Sequence, residues 1–202
     1  MKSSFVHKRS SIRLRDYDYS KAGAYFVTLC SYKREPLFGN IIGEEMHLNE
    51  FGKIVESEWL LSSEIRLEIE LDEFIVMPNH FHAIVFIQDV RIDDNSPIVG
   101  ANDPSSVVGA NGRSPLQMKP RSLSSMISGY KSSVTSKINM IRGTRGKPLW
   151  QRNYYEHIIR NQRSLDFIRQ YIVNNPLRWA YDRDNPDGKP DREEIDFWKR
   201  YS

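Results

Sequence analysis

The chain has 202 residues, of which 39% are apolar and 27% charged, and its formal net charge is +3. That length is enough for one domain with a buried core, and the composition excludes a fibre or a fully disordered chain. No apolar run approaches the roughly 20 residues that span a bilayer, and the basic leader MKSSFVHKRSSIRLRDYDYS lacks the apolar block of a secretory signal.

Cys30, the single cysteine, forbids an internal disulfide and suits a reducing cytoplasm, which is the expected location. It reads as a small buried strand residue.

In chain order, GAYFVTLCSY (23–32) is rich in aromatic and β-branched residues and predicts a strand. HLNEFGKIVESEWLLSSEI (47–65) carries Ile54, Val55, Trp59 and Leu60 at helical spacing. IELDEFIVM (69–77) and HFHAIVFI (80–87), separated by Pro78 and Asn79, predict a hairpin. Between about 89 and 120 periodicity is lost and VGAN occurs twice, at 99–102 and 108–111, which predicts a flexible, locally duplicated insertion.

SLSSMISGYKSSVTSKINMI (122–141) restores helical spacing, with Lys131 and Lys137 expected on the exposed side. PLWQRNYYEHIIR (148–160) predicts a strand, and SLDFIRQYIVNNP (164–176) a helix capped by Ser164 and stopped before Pro176. The segment after Asn185 reads as loosely attached, with Trp198 able to dock it.

The order β-α-β-β-α-β-α implies an α+β fold: a ferredoxin-like antiparallel sheet with helices packed on one face and an added C-terminal helix. The expected organisation is a basic arm at 1–22, a domain at 23–180 containing the 89–120 insertion, and a tail at 181–202.

Charge is unevenly distributed. No Asp or Glu occurs between Asp103 and Glu156, while Arg113, Lys119, Arg121, Lys131, Lys137, Arg142, Arg145, Lys147 and Arg152 fall in that interval. Either a solvated basic face or a surface for an anionic partner, nucleic acid first, accounts for this.

Strand alternation sends His80, His82, Ile84 and Phe86 to one face, with the two imidazoles about 7 Å apart at Cα, a spacing that suits two ligands on one ion. Two satisfied core imidazoles would fit the pattern equally well. Tyr171 and Asn175 are four residues apart and share a helix face. Two imidazoles and an amide oxygen leave room for phosphate and water around Mg²⁺ or Mn²⁺, and a tyrosinate beside them could attack phosphorus. A histidine-triad hydrolase would need a third alternating histidine, where this chain has Ile84.

HFH at 80–82 matches the His-hydrophobe-His signature of HUH endonucleases, and the Tyr171-x-x-x-Asn175 helix resembles that of single-tyrosine transposases. RLRDYDYSKAGAYFVTLCSYKREPLFG, VMPNHFHAIV, LWQRNYYEHIIRN and YIVNNPLRW together resemble the REP-associated tyrosine transposases, over residues 13–179.

The resemblance implies a metal-dependent endonuclease and strand transferase acting on single-stranded DNA at palindromic, hairpin-forming repeats. It assigns the tyrosine nucleophile, which becomes joined to a 5′-phosphate, to Tyr171, and the metal ligands to His80, His82 and Asn175. Relatives often carry Gln at the last position. Arg13, Arg15, Arg121, Lys131, Lys137, Arg142, Arg145, Lys147 and Arg152 are the expected DNA-binding set. Monomer and homodimer both remain open, as does a transposase-derived protein that binds DNA hairpins without cleaving them.

Overall fold

The computed structural model describes residues 21–89 and 121–201; Arg13, Arg15 and all but the first residue of the expected insertion lie outside the described residues. Six strands and four helices follow in order: β1 (Gly23–Cys30), β2 (Gly39–Ile42), β3 (Glu45–Leu48), α1 (Glu50–Ile65), β4 (Ile69–Val76), β5 (His80–Ile87), α2 (Leu123–Arg142), β6 (Tyr155–Ile159), α3 (Gln162–Asn174) and α4 (Arg192–Tyr201). The main sheet has the order β4-β5-β1-β6 and is antiparallel throughout, as the ferredoxin-like expectation requires.

Alternation along the strands divides the apolar residues between two cores. On one face Tyr25, Val27, Leu29, Phe81, Ala83 and Val85 meet Val55 and Trp59 of α1 and Ile127, Tyr130, Val134 and Ile138 of α2. On the other, Ala24, Phe26, Ile84 and Ile159 meet Leu165, Ile168 and Ile172 of α3 and Phe197, Trp198 and Tyr201 of α4. The tyrosine helix therefore lies across the sheet from α1 and α2. Asp72 sits in a register shift of β4 and accepts from Arg169 Nε (3.0 Å) and Nη2 (2.6 Å), tying α3 to that strand.

Four local expectations need correction. Residues 45–48 pair with β2 as a strand, so α1 starts at Glu50, where the Asn49 side chain accepts from Gly52 N at 3.0 Å. This hairpin depends on Gly39, whose φ is +143° and where a Cβ would lie 2.1 Å from His47 O. The cap of α3 is Asn161, which accepts from Ser164 N at 2.9 Å, rather than Ser164. β6 begins only at Tyr155; Trp150 makes an isolated bridge to Ser31.

The segment after Asn185 is not loosely attached. It forms α4, whose buried residues Glu194, Phe197, Trp198 and Tyr201 recur at three- and four-residue steps. Glu193 and Glu194 in its first turn and Lys199 and Arg200 in its last complement the helix dipole. Among the described residues no helix is long and apolar enough to cross a membrane.

Candidate functional site

β5 delivers His80 and His82 to the α3/α4 face, both fully buried, with ring centroids 4.4 Å apart. Each is held through Nδ1. His82 Nδ1 lies 2.8 Å from Thr28 Oγ1, its partner across the β1–β5 register, and His80 Nδ1 lies 2.9 Å from Asn79 Oδ1.

The Asn79 amide is oriented by its own nitrogen, which donates to Arg34 O (3.1 Å) and Asp184 O (2.7 Å). Its oxygen, an acceptor only, therefore faces His80 and puts the imidazole proton on Nδ1. The Nε2 atoms of both histidines are buried and have no hydrogen-bond partner among the described residues. Burial, then the neighbouring His80 and Arg183, push the pKa of His82 well below its ordinary value, which keeps the ring neutral. Nδ1 anchored to a second partner and Nε2 left without one is the arrangement of metal-binding imidazoles.

α3 ends beneath this pair. Asn175, the cap residue, is 2% exposed and donates through Nδ2 to Asp182 Oδ2 at 2.9 Å, while its Oδ1 has no partner among the described residues. Pro176 and a 3-10 turn at Trp179–Tyr181 lead the chain back, so that Asp182 Oδ2 comes within 3.6 Å of His80 Nε2. Ligand atoms of His80, His82 and Asp182 all lie within 4.8 Å of one another. Two imidazoles with a carboxylate or amide oxygen form a mixed nitrogen and oxygen donor set that fits a divalent cation. Sequence reasoning missed Asp182, because nothing in YDRDNP marks a buried acid among exposed ones.

Tyr171, from the middle of α3, stands beside the histidines with its ring centroid 5.4 Å from that of His82. Its hydroxyl donates to Glu194 Oε1 at 3.2 Å, and Phe197 stacks on its ring at 3.6 Å and 11°. Burial, then the charges of Asp182 and Glu194, raise the Tyr171 pKa well above the usual phenol value. The same Glu194 oxygen accepts from Trp198 Nε1 (2.7 Å) and Arg183 N (3.1 Å). Tyr155 also reaches this core, packed on Trp198, and burial pushes its pKa up to about 12; Tyr154 packs against the opposite core.

The basic residues have unequal environments. Arg121, Arg145, Lys147 and Arg152 are exposed. Lys137 is paired with Glu58, whose carboxyl burial would raise but which the hydrogen bonds from Lys137 and Ser133 hold below its ordinary range. Arg142 lies over the Phe51 ring at 4.9 Å. Lys131 Nζ donates to Gln151 O (2.6 Å) and Arg152 O (3.3 Å), and burial lowers its pKa to about 8.

Lys131, Arg145 and Arg152, with Ser132, Ser136 and Asn139, line a cleft of about 790 Å³ between α2 and the following loop. Its Gln151 wall bonds to Cys30 O, and Cys30 is paired with His80, so the cleft abuts the histidine end of the sheet.

No family model matches the chain. An uncharacterized protein of Haemophilus influenzae is 36% identical over 179 residues, covering 88% of this chain and 93% of that protein. The chain belongs to the family of that protein.

Among solved structures, a REP-associated tyrosine transposase bound to a REP hairpin is similar at 19% identity and a TM-score of 0.48, over 83% of this chain and 73% of that one. A candidate transposase from Deinococcus radiodurans is similar at 14% identity and a TM-score of 0.37, over 80% of this chain and 95% of that one. At these scores neither likeness adds to what the geometry shows.

Proposed function

We propose that the chain is a metal-dependent endonuclease and strand transferase for single-stranded DNA, with Tyr171 as nucleophile. The observation that carries this reading is the pair of buried imidazoles whose Nε2 atoms have no hydrogen-bond partner among the described residues, with Tyr171 packed beside His82. In a purely structural role those atoms would leave two buried polar nitrogens unpaired, at about 1–3 kcal/mol each. His80, His82 and Asn175 would hold Mg²⁺ or Mn²⁺, which supplies Lewis-acid polarisation of a phosphodiester.

The remaining chemistry belongs to the chain. Tyr171 Oη loses its proton and attacks phosphorus, its bond to the 5′-phosphate forms, and the bond to the departing 3′-oxygen breaks to leave a 3′-hydroxyl. Attack by a 3′-hydroxyl reverses the step and rejoins strands, so no nucleotide cofactor is consumed. Residues 23–180 form the nuclease domain, and α4 of the 181–202 tail covers its tyrosine face through Phe197, Trp198 and Tyr201.

The partner is single-stranded or hairpin DNA, and a cytoplasmic location follows from that partner. Arg121, Arg145, Lys147 and Arg152, with Lys131 at the cleft, offer the phosphate-binding surface, and Arg13, Arg15, Lys137 and Arg142 complete the proposed set.

A second reading, a hairpin-binding protein that no longer cleaves, draws on the covering of Tyr171 by Phe197 and its bond to Glu194. Incubating the full chain with labelled single-stranded hairpin DNA and Mn²⁺ separates the two. The nuclease reading expects nicking and a covalent protein–DNA adduct; tight, salt-sensitive binding without an adduct supports the second reading.

A further inference from the structure

Asp182 is the most deeply buried carboxylate beside the histidine pair, at 1% exposure. Among the described residues its oxygens accept from neutral groups, Asp184 N at 2.6 Å and Asn175 Nδ2 at 2.9 Å. Nearby guanidinium groups are directed to Asp184 instead: Arg34 Nη2 at 2.7 Å and Arg183 Nε at 3.7 Å.

Asp182 Oδ2 also approaches His80 Nε2 at 3.6 Å. That separation is longer than a hydrogen bond, and His80 Nε2 has no hydrogen-bond partner among the described residues. Ligand atoms of His80, His82 and Asp182 lie within 4.8 Å of one another, so a divalent cation between them would satisfy both imidazole nitrogens and the buried carboxylate together.

We infer that Asp182 is the anionic ligand of the ion held by His80 and His82, positioned by the Asn175 amide and the Asp184 backbone. This rests on the metal-dependent reading above and adds a donor from the turn after α3. The coordinating set then contains one full negative charge, and the ion joins β5 to the 182–184 turn that leads into α4.

The test is Mn²⁺ binding to the full chain without DNA, read from loss of the free-ion electron paramagnetic resonance signal and from the Mn²⁺-induced rise in Tm. Wild type, His82→Ala, Asp182→Asn and Asp182→Ser are compared, with circular dichroism reporting folding. The serine variant keeps an acceptor for Asp184 N if the asparagine variant fails to fold. Asp182→Asn or Asp182→Ser should weaken binding at least about 10-fold and abolish the Tm rise, as His82→Ala does. Wild-type affinity in the Asp182 variants, with binding lost in His82→Ala, overturns the Asp182 assignment and leaves the metal-dependent reading standing. No Mn²⁺ binding by wild type overturns both.

Discussion

Tyr171 and Glu194 are hydrogen-bonded across the α3–α4 interface, phenol donating to carboxylate at 3.2 Å, and the pKa of each is raised. For Glu194 burial is the first cause and the charge of Asp182 the second. A carboxyl whose folded pKa is raised contributes stability that is present below its unfolded value and lost as pH rises through the folded value. Glu194→Gln keeps an acceptor without the charge. It should raise Tm at pH 7 but not at pH 4, by about 2–4 °C per kcal/mol gained. Thermal melts across that range check this, and equal effects at both pH values would exclude a role for the Glu194 charge.

Phe197, 2% exposed, stacks on both Tyr171 and Phe167. Phe197→Ala should destabilise the fold by about 3–5 kcal/mol in denaturant titrations. Hydrogen exchange should rise first in α4 and around Tyr171, where contacts are lost.

Arg145 and Arg152 line the cleft and are exposed, whereas Lys137 is paired with Glu58. Removing a phosphate contact reduces the dependence of log K on log salt by about 1. The double variant Arg145→Ala/Arg152→Ala should therefore flatten the salt dependence of DNA binding by about 2, and Lys137→Ala should change it least. Fluorescence anisotropy over a salt series measures both.

Lys131, lowered to about 8 by burial, loses its charge near the upper end of the physiological pH range. DNA affinity should fall between pH 7 and pH 9 in wild type. Lys131→Arg, always charged, should bind equally at the two pH values.

Local pattern made much of this molecule legible. Strand alternation gave the face shared by His80 and His82, and helical spacing joined Tyr171 to Asn175. The β2–β3 hairpin was hidden because its strands have four residues each and its Gly39 contact depends on His47, eight positions away. α4 was hidden because Pro186, Gly188, Pro190 and a run of charges precede three buried aromatics. Asp182 could not be read at all. Its burial follows from the turn after Pro176, and its meaning from histidines about a hundred positions earlier.

The most direct measurement is the site of covalent attachment. After reaction with hairpin DNA in Mn²⁺, nuclease digestion and trypsin, mass spectrometry should find a 5′-phosphonucleotide on the peptide spanning residues 170–178, whose one tyrosine is Tyr171. The adduct should be absent from Tyr171→Phe. Attachment to residues 153–160, which carry Tyr154 and Tyr155, or an adduct that survives Tyr171→Phe, would contradict the account.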